Sequence, residues 1–119
     1  MDLSALLSQD YWLILSTPLP AATELAVNTF VPEHVQWLLS LEQQQVLFLS
    51  GPLLSGPHVG PGSGVTILRA RDEGEATRIA EQDPFVKAGL RSFAAFRWRL
   101  NEGSVSVRLS LGTGRYNWQ

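Results

Sequence analysis

Val46-Leu47-Phe48-Leu49-Ser50-Gly51-Pro52 and Val65-Thr66-Ile67-Leu68-Arg69-Ala70 flank a stretch, Leu54 to Gly64, that carries much of the chain's glycine and proline. Both runs are short, apolar and rich in branched or aromatic residues, the composition of buried strands. Two strands in succession across a turn-forming stretch read as a long hairpin. The assignment of the fold turns on this hairpin, because a helix precedes it and another follows.

Upstream, Tyr11-Trp12-Leu13-Ile14-Leu15 is a strand closed by Ser16, Thr17 and two prolines. Pro18 to Phe30 is a connector whose middle, Ala21 to Val27, reads equally as a weak helix or a lid. Pro32 suits a first helical position, where its missing N–H would be unpaired in any case. Good helix formers then run from Glu33 to about Gln44. Val35, Leu38, Leu39 and Glu42 share one side; His34, Trp37, Leu38 and Leu41 share the next. This places His34 in the first turn, on the flank of the buried stripe.

Downstream, Asp72 and Glu75 stand at N-cap and N3 of a second helix with an apolar stripe of Ala76, Ile79 and Ala80. Pro84 disfavours helical geometry at Asp83, so this helix ends near Asp83, and Phe85 to Gly89 adds an irregular turn. Phe93 to Leu100 is a fourth strand, with Phe96, Trp98 and Leu100 opposite Arg97 and Arg99. After a turn at Asn101-Glu102-Gly103, Ser104 to Leu111 alternates as a fifth strand. An aromatic tail with Tyr116 and Trp118 follows.

The order predicts an α+β, ferredoxin-like βαββαβ fold with an extra C-terminal strand. One domain accounts for residues 1–119, with a core at about 11–100 and the strand and tail at 104–119. A sheet with helices on one face should alternate apolar and polar residues. Here the first three strands are apolar on both faces, so the open face predicts a homodimer packed sheet to sheet. The alternative is a terminal strand or tail folded over that face.

Composition narrows the function. The 119 residues are 45% hydrophobic and 17% charged, a globular balance. A net charge of -2 argues against a nucleic-acid partner, which would need clustered Lys and Arg. The absence of cysteine excludes disulfides, thiolate nucleophiles and Cys-based zinc sites. Met1-Asp2-Leu3 opens no signal peptide, and Tyr11 to Leu15 falls far short of the about 20 apolar residues that span a bilayer. A cytoplasmic, uncleaved chain without a membrane partner is the expectation.

Chemistry concentrates on few residues. His58 lies in the glycine/proline loop, where an exposed imidazole is the default. His34 begins a helix beside the core, and an imidazole passes protons in either direction near neutral pH. Asp83 meets it if the two helices lie side by side, and a carboxylate there would fix its tautomer. Spacing alone leaves open a structural histidine and an aspartate that only stops a helix. Ser50 is a candidate hydrogen-bonding group near the pocket, without the Gly-x-Ser-x-Gly elbow of a hydrolase. Arg97 and Arg99 read as an anion site or, preferably, as a solvated strand surface. Glu33, His34 and Asp83 make a poor metal set, and no metal or cofactor is expected.

Leu49-Ser50-Gly51-Pro52-Leu53, Thr66-Ile67-Leu68-Arg69-Ala70 and above all Ala80-Glu81-Gln82-Asp83-Pro84-Phe85-Val86-Lys87-Ala88-Gly89-Leu90 resemble the YciI-like (YCII-related) family. The resemblance covers about Tyr11 to Leu100. It implies a dimeric α+β barrel and an active site made by a helix histidine and the aspartate of Asp-Pro-Phe, here His34 and Asp83. It also implies relatives such as a dehydrochlorinase, with muconolactone isomerase among the fold relatives. The expected function is a cofactor-independent enzyme that isomerises a small organic acid or aromatic compound, or eliminates a leaving group from it. A non-catalytic ligand-binding or scaffold dimer is the alternative.

Overall fold

The structure, a computed structural model, describes residues 1–57 and 59–119; His58 and its expected exposure fall outside the described residues. The chain runs β1 (Gln9–Pro18), α1 (Glu24–Gln43), β2 (Leu47–Pro52), β3 (Gly64–Leu68), α2 (Glu73–Ala80), α3 (Pro84–Lys87) and β4 (Arg91–Leu100), then β5 (Val107–Ser110) and β6 (Arg115–Trp118). Four strands form one sheet in the order β2-β3-β1-β4. Every ladder in it is antiparallel, with Ile14 opposite Thr66 on one side and Ala95 on the other. With β3 and β1 central and β2 and β4 at the edges, this is the α+β, ferredoxin-like arrangement.

One face of the sheet carries the helices. Ile14 and Leu68 from the strands, Leu41 from α1, and Ala76 and Ala80 from α2 form its buried core, with Trp37, Phe93 and Ala95 packed around. The small Ala76 and Ala80 side chains let α2 approach the sheet closely. Asp72 caps α2 by accepting from the Glu75 N–H at 2.8 Å, as the spacing required.

Helix α1 corrects the sequence reading. It begins at Glu24, with Thr23 as the N-cap, so of the two readings of the connector's middle the helix is right, and Glu24 to Phe30 form the first two turns of α1. Pro32 lies inside the helix, and His34 is in its third turn rather than its first. An interior proline costs about 3 kcal/mol, since the Asn28 carbonyl loses its donor. The compensation is an unbroken stripe: Val27, Phe30, Trp37 and Leu41 pack into two core clusters, and His34 lies on the same stripe. Each large apolar side chain so buried returns roughly 1.5–3 kcal/mol. The buried side is therefore the one with His34 and Trp37; Val35 and Leu39 stay exposed. The helix stops at a left-handed Gln45, φ 61°. There the Val46 N–H reaches the Leu41 carbonyl at 2.9 Å and the Gln45 N–H the Glu42 carbonyl at 3.0 Å.

The opposite face is open. Along β3, Gly64, Thr66 and Leu68 are buried on the helix side while Val65 and Ile67 are half-buried on the other. Phe96 is 52% and Leu49 46% exposed. Tyr11 is the exception, covered by the Phe48 ring stacked at 4.5 Å and by Trp98. The fifth strand does not extend this sheet. It pairs with the aromatic tail as a separate hairpin, Val107 opposite Trp118 and Leu109 opposite Tyr116. The hairpin does not fold over the open face either, for those four side chains are all exposed. Among the described residues, no helix is long and apolar enough to cross a membrane.

Candidate functional site

Asp83 is the centre of the site. It is not the last residue of α2 but the N-cap of the separate turn α3, with Pro84 at the first helical position. Aspartate before proline is a strong helix start: the side chain receives an unpaired amide, and proline has none to lose. Here Asp83 Oδ1 accepts from the Phe85 N–H at 3.0 Å. At the other end of α3, Gly89 adopts φ 72°. The Leu90 N–H closes back on the Phe85 carbonyl at 2.9 Å. Only glycine takes that conformation without strain, and it turns the chain straight into β4.

Two side chains meet the carboxylate. His34 Nδ1 lies 2.8 Å from Asp83 Oδ1. Arg91, the first residue of β4, donates from Nη2 to Asp83 Oδ2, and from Nη1 to the Gly62 carbonyl at 2.8 Å. Both members of the Asp83–Arg91 pair are buried, at 2% and 5% exposure. Burial pushes the Asp83 carboxyl up, but the His34 hydrogen bond, the Arg91 charge and the Phe85 N–H together hold it below its ordinary 3.8. Burial pulls the Arg91 guanidinium down, partly offset by Asp83. An ionised carboxylate only accepts, so His34 Nδ1 carries the proton. In the neutral ring, Nε2 then holds the lone pair. It makes no hydrogen bond to the described residues.

The His34 ring stacks on Phe85 at 4.2 Å between centroids. It also lines a cleft of about 400 Å³ between α1 and the β2–β3 end of the sheet. Val27, Val31, Val35 and Leu38 form the helix wall of that cleft, and Pro52 and Val65 line it from the sheet. His34, Ser50, Ser63, Thr66 and Arg91 are its polar members. A mainly apolar cleft with a small set of polar groups is the usual form of a small-molecule site.

The structure thus brings His34 and Asp83 into direct contact and places Ser50 on the same cleft. It keeps Arg97 and Arg99 away, since both bind Asp10 on the surface of the β1–β4 ladder. Glu33 is exposed and does not join Asp83. Among the described residues, no group of three or more His, Cys, Asp or Glu side chains converges on a metal position. Arg91 escaped the sequence reading. Its signal was Gly89, whose left-handed turn returns the chain to Asp83 within one short helix.

Comparison with known proteins agrees with this architecture. The family model of the YCII-related domain matches residues 11–99. The fold is similar to the solved 5-chloro-2-hydroxyhydroquinone dehydrochlorinase of Burkholderia phenoliruptrix AC1100, in complex with 2,5-dihydroxybenzoquinone. The two share 25% identity at a TM-score of 0.60, covering 74% of this chain and 92% of that one. No curated protein matches the chain significantly. With three quarters of its length under one family model, including His34, Ser50, Asp83 and Arg91, the chain belongs to the YCII-related domain family.

Proposed function

We propose that the cleft is the active site of a cofactor-independent enzyme of lyase or isomerase type, with His34 as its acid–base group. The observation that carries this reading is an imidazole bonded through Nδ1 to a buried carboxylate while its ring lines an apolar cleft. Asp83 orients the ring and stabilises the imidazolium that forms when Nε2 takes a proton. The apolar walls suit a small ring compound, and Ser50 offers it a hydrogen bond. The dehydrochlorinase likeness favours elimination: the imidazole takes a proton from the substrate, the pair left behind becomes a new double bond, chloride leaves with the C–Cl bonding pair, and no external oxidant is needed. Isomerisation uses the same group to return the proton at another atom.

The working unit in this reading is a cytoplasmic homodimer. The exposed Phe96 and Leu49, with half-buried Leu13, Val65 and Ile67, give the open sheet face the apolar character of a two-fold interface.

Hydroxylated and chlorinated quinols and small ring acids are the substrates to screen, with chloride release and absorbance as readouts. His34→Ala is expected to lower turnover by roughly 10²–10⁴-fold, the range of a lost general acid–base group. Asp83→Asn should also lower it, because a neutral amide no longer stabilises the imidazolium. Saturable binding of 2,5-dihydroxybenzoquinone without any turnover across the screen would favour the ligand-binding alternative. Equal turnover by parent and His34→Ala would overturn the role of His34.

A further inference from the structure

A carboxylate is a two-fold rotor whose terminal torsion is only broadly restrained. One amide bond, from Phe85 to Oδ1, does not fix the plane of the carboxylate toward His34. Arg91 supplies a second anchor on the other oxygen, Oδ2. Its guanidinium is itself held on two further sides. Nη1 binds the Gly62 carbonyl at 2.8 Å, and Cζ lies 5.1 Å from the Phe85 ring centre. That same ring stacks on His34.

Arg91 is an expensive way to fill this space. It is 5% exposed, and its Nε is buried without a hydrogen-bond partner. Ion pairs this deeply buried are often replaced by apolar side chains with no loss of stability. Of its five N–H groups, one on Nη1 meets the Gly62 carbonyl, one on Nη2 meets Asp83, and that on Nε is enclosed, while the side chain borders the cleft. The hydrogen bonds it makes go to protein groups, one of them Asp83, so its position fits an effect exerted through Asp83.

We infer that Arg91 is a positioning residue for the His34–Asp83 pair. By gripping Asp83 Oδ2 and the Gly62 carbonyl together, it holds the carboxylate plane at the angle that aims the other oxygen at His34 Nδ1. It also ties the pair to the Gly62–Val65 wall of the cleft, so a shift of that wall reaches Asp83 through a single side chain. The fork geometry is essential, because a lysine ammonium carries the charge without two oriented donors.

The test reads the proton on His34 Nδ1 by proton and nitrogen NMR at neutral pH, assigned by its loss in His34→Gln. In the parent chain this proton is expected as a slowly exchanging downfield signal. Arg91→Gln should abolish it, and Arg91→Lys should broaden it and speed its exchange with water at least roughly 10-fold. Both effects are expected while amide signals of the sheet stay native. If Arg91→Gln does not fold, Arg91→Lys decides alone. A folded Arg91→Lys whose His34 signals keep the parent's shifts and exchange rate would overturn the inference and leave Arg91 a structural residue. The inference rests on the geometry of the pair and not on turnover. A fruitless substrate screen leaves this test standing, and unchanged signals leave the screen standing.

Discussion

Replacing Asp83 by Asn probes the centre of the site with the smallest change in shape. The carboxylate accepts from His34 Nδ1, the Phe85 N–H and Arg91 Nη2. An amide offers one oxygen and one NH2. If the oxygen keeps the His34 and Phe85 donors, the NH2 group is set against the Arg91 guanidinium, donor against donor. Arg91 then remains buried, with no counter-charge and with Nε already unpaired. Breaking a buried pair in this way costs about 3–5 kcal/mol. That is a large share of the about 5–15 kcal/mol available to a domain. It corresponds to a fall in Tm of roughly 10–25 °C at this chain length.

Acid dependence gives the same substitution a second readout. Folding holds the Asp83 carboxyl below its ordinary 3.8. Its contribution to stability is therefore fully present above that value and fades as pH falls through the lower, folded value. Asn takes up no proton there. The gap between parent and Asp83→Asn should be widest at pH 7 and narrow below about pH 4. Urea unfolding of both chains at pH 7, 5, 4 and 3 measures it. Adding Arg91→Met to Asp83→Asn should recover at least half of the loss, because neither charge is then buried alone. A gap under about 1 kcal/mol at pH 7, or one that stays constant to pH 3, would refute the reasoning.

Gly62 sits at φ 86°, and a methyl added there meets only Val27 Cγ2 at an ordinary 3.6 Å. Gly62→Ala should therefore cost about 1–2 kcal/mol through the backbone alone, read as a lower urea midpoint with an unchanged slope. An unchanged midpoint would place the carbonyl that holds Arg91 on a less constrained turn. Phe96→Lys tests the pairing of the open sheet face, where Phe96 is 52% exposed. In sedimentation velocity the parent should run as a dimer and the variant as a folded monomer; a monomeric parent would remove the two-fold interface from the proposal.

The strands, α2 and the Asp83 turn were legible because each is written locally. Branched runs, the Asp72–Glu75 cap and the Asp-Pro step all act within a few residues. Misreadings arose where tertiary packing overruled a local signal. Pro32 marks a helix start by every local rule, yet the stripe from Val27 to Leu41 buries enough side chain to carry the helix through it. Ser104 to Leu111 alternates like a sheet strand. Alternation states which face is dry but not which strand is the partner, and the partner here is the tail. Of the candidate site, residue type offered His34 and Asp83 as one reading among others, and the family resemblance supplied the choice. Arg91 could not be singled out, since one arginine at a strand start looks like any other until Gly89 is seen to fold it back.

The displaced start of α1 also changes what sets the electrostatics of the cleft. A histidine in the first turn would lie among unpaired amides, whose positive end of the helix dipole disfavours an imidazolium. That influence falls off within the first turn, and His34 is ten residues beyond Glu24. Its field is made instead by α3 and β4. Asp83 supplies the negative charge against Nδ1, and Arg91 balances that charge from the far side of the carboxylate. A pair built this way is adjusted by whatever moves Arg91 or the Phe85 ring, including Val27 of the first turn of α1, and not by the helix dipole. A change at Gly62, remote from His34 in sequence, thus reaches it through Arg91 and Asp83.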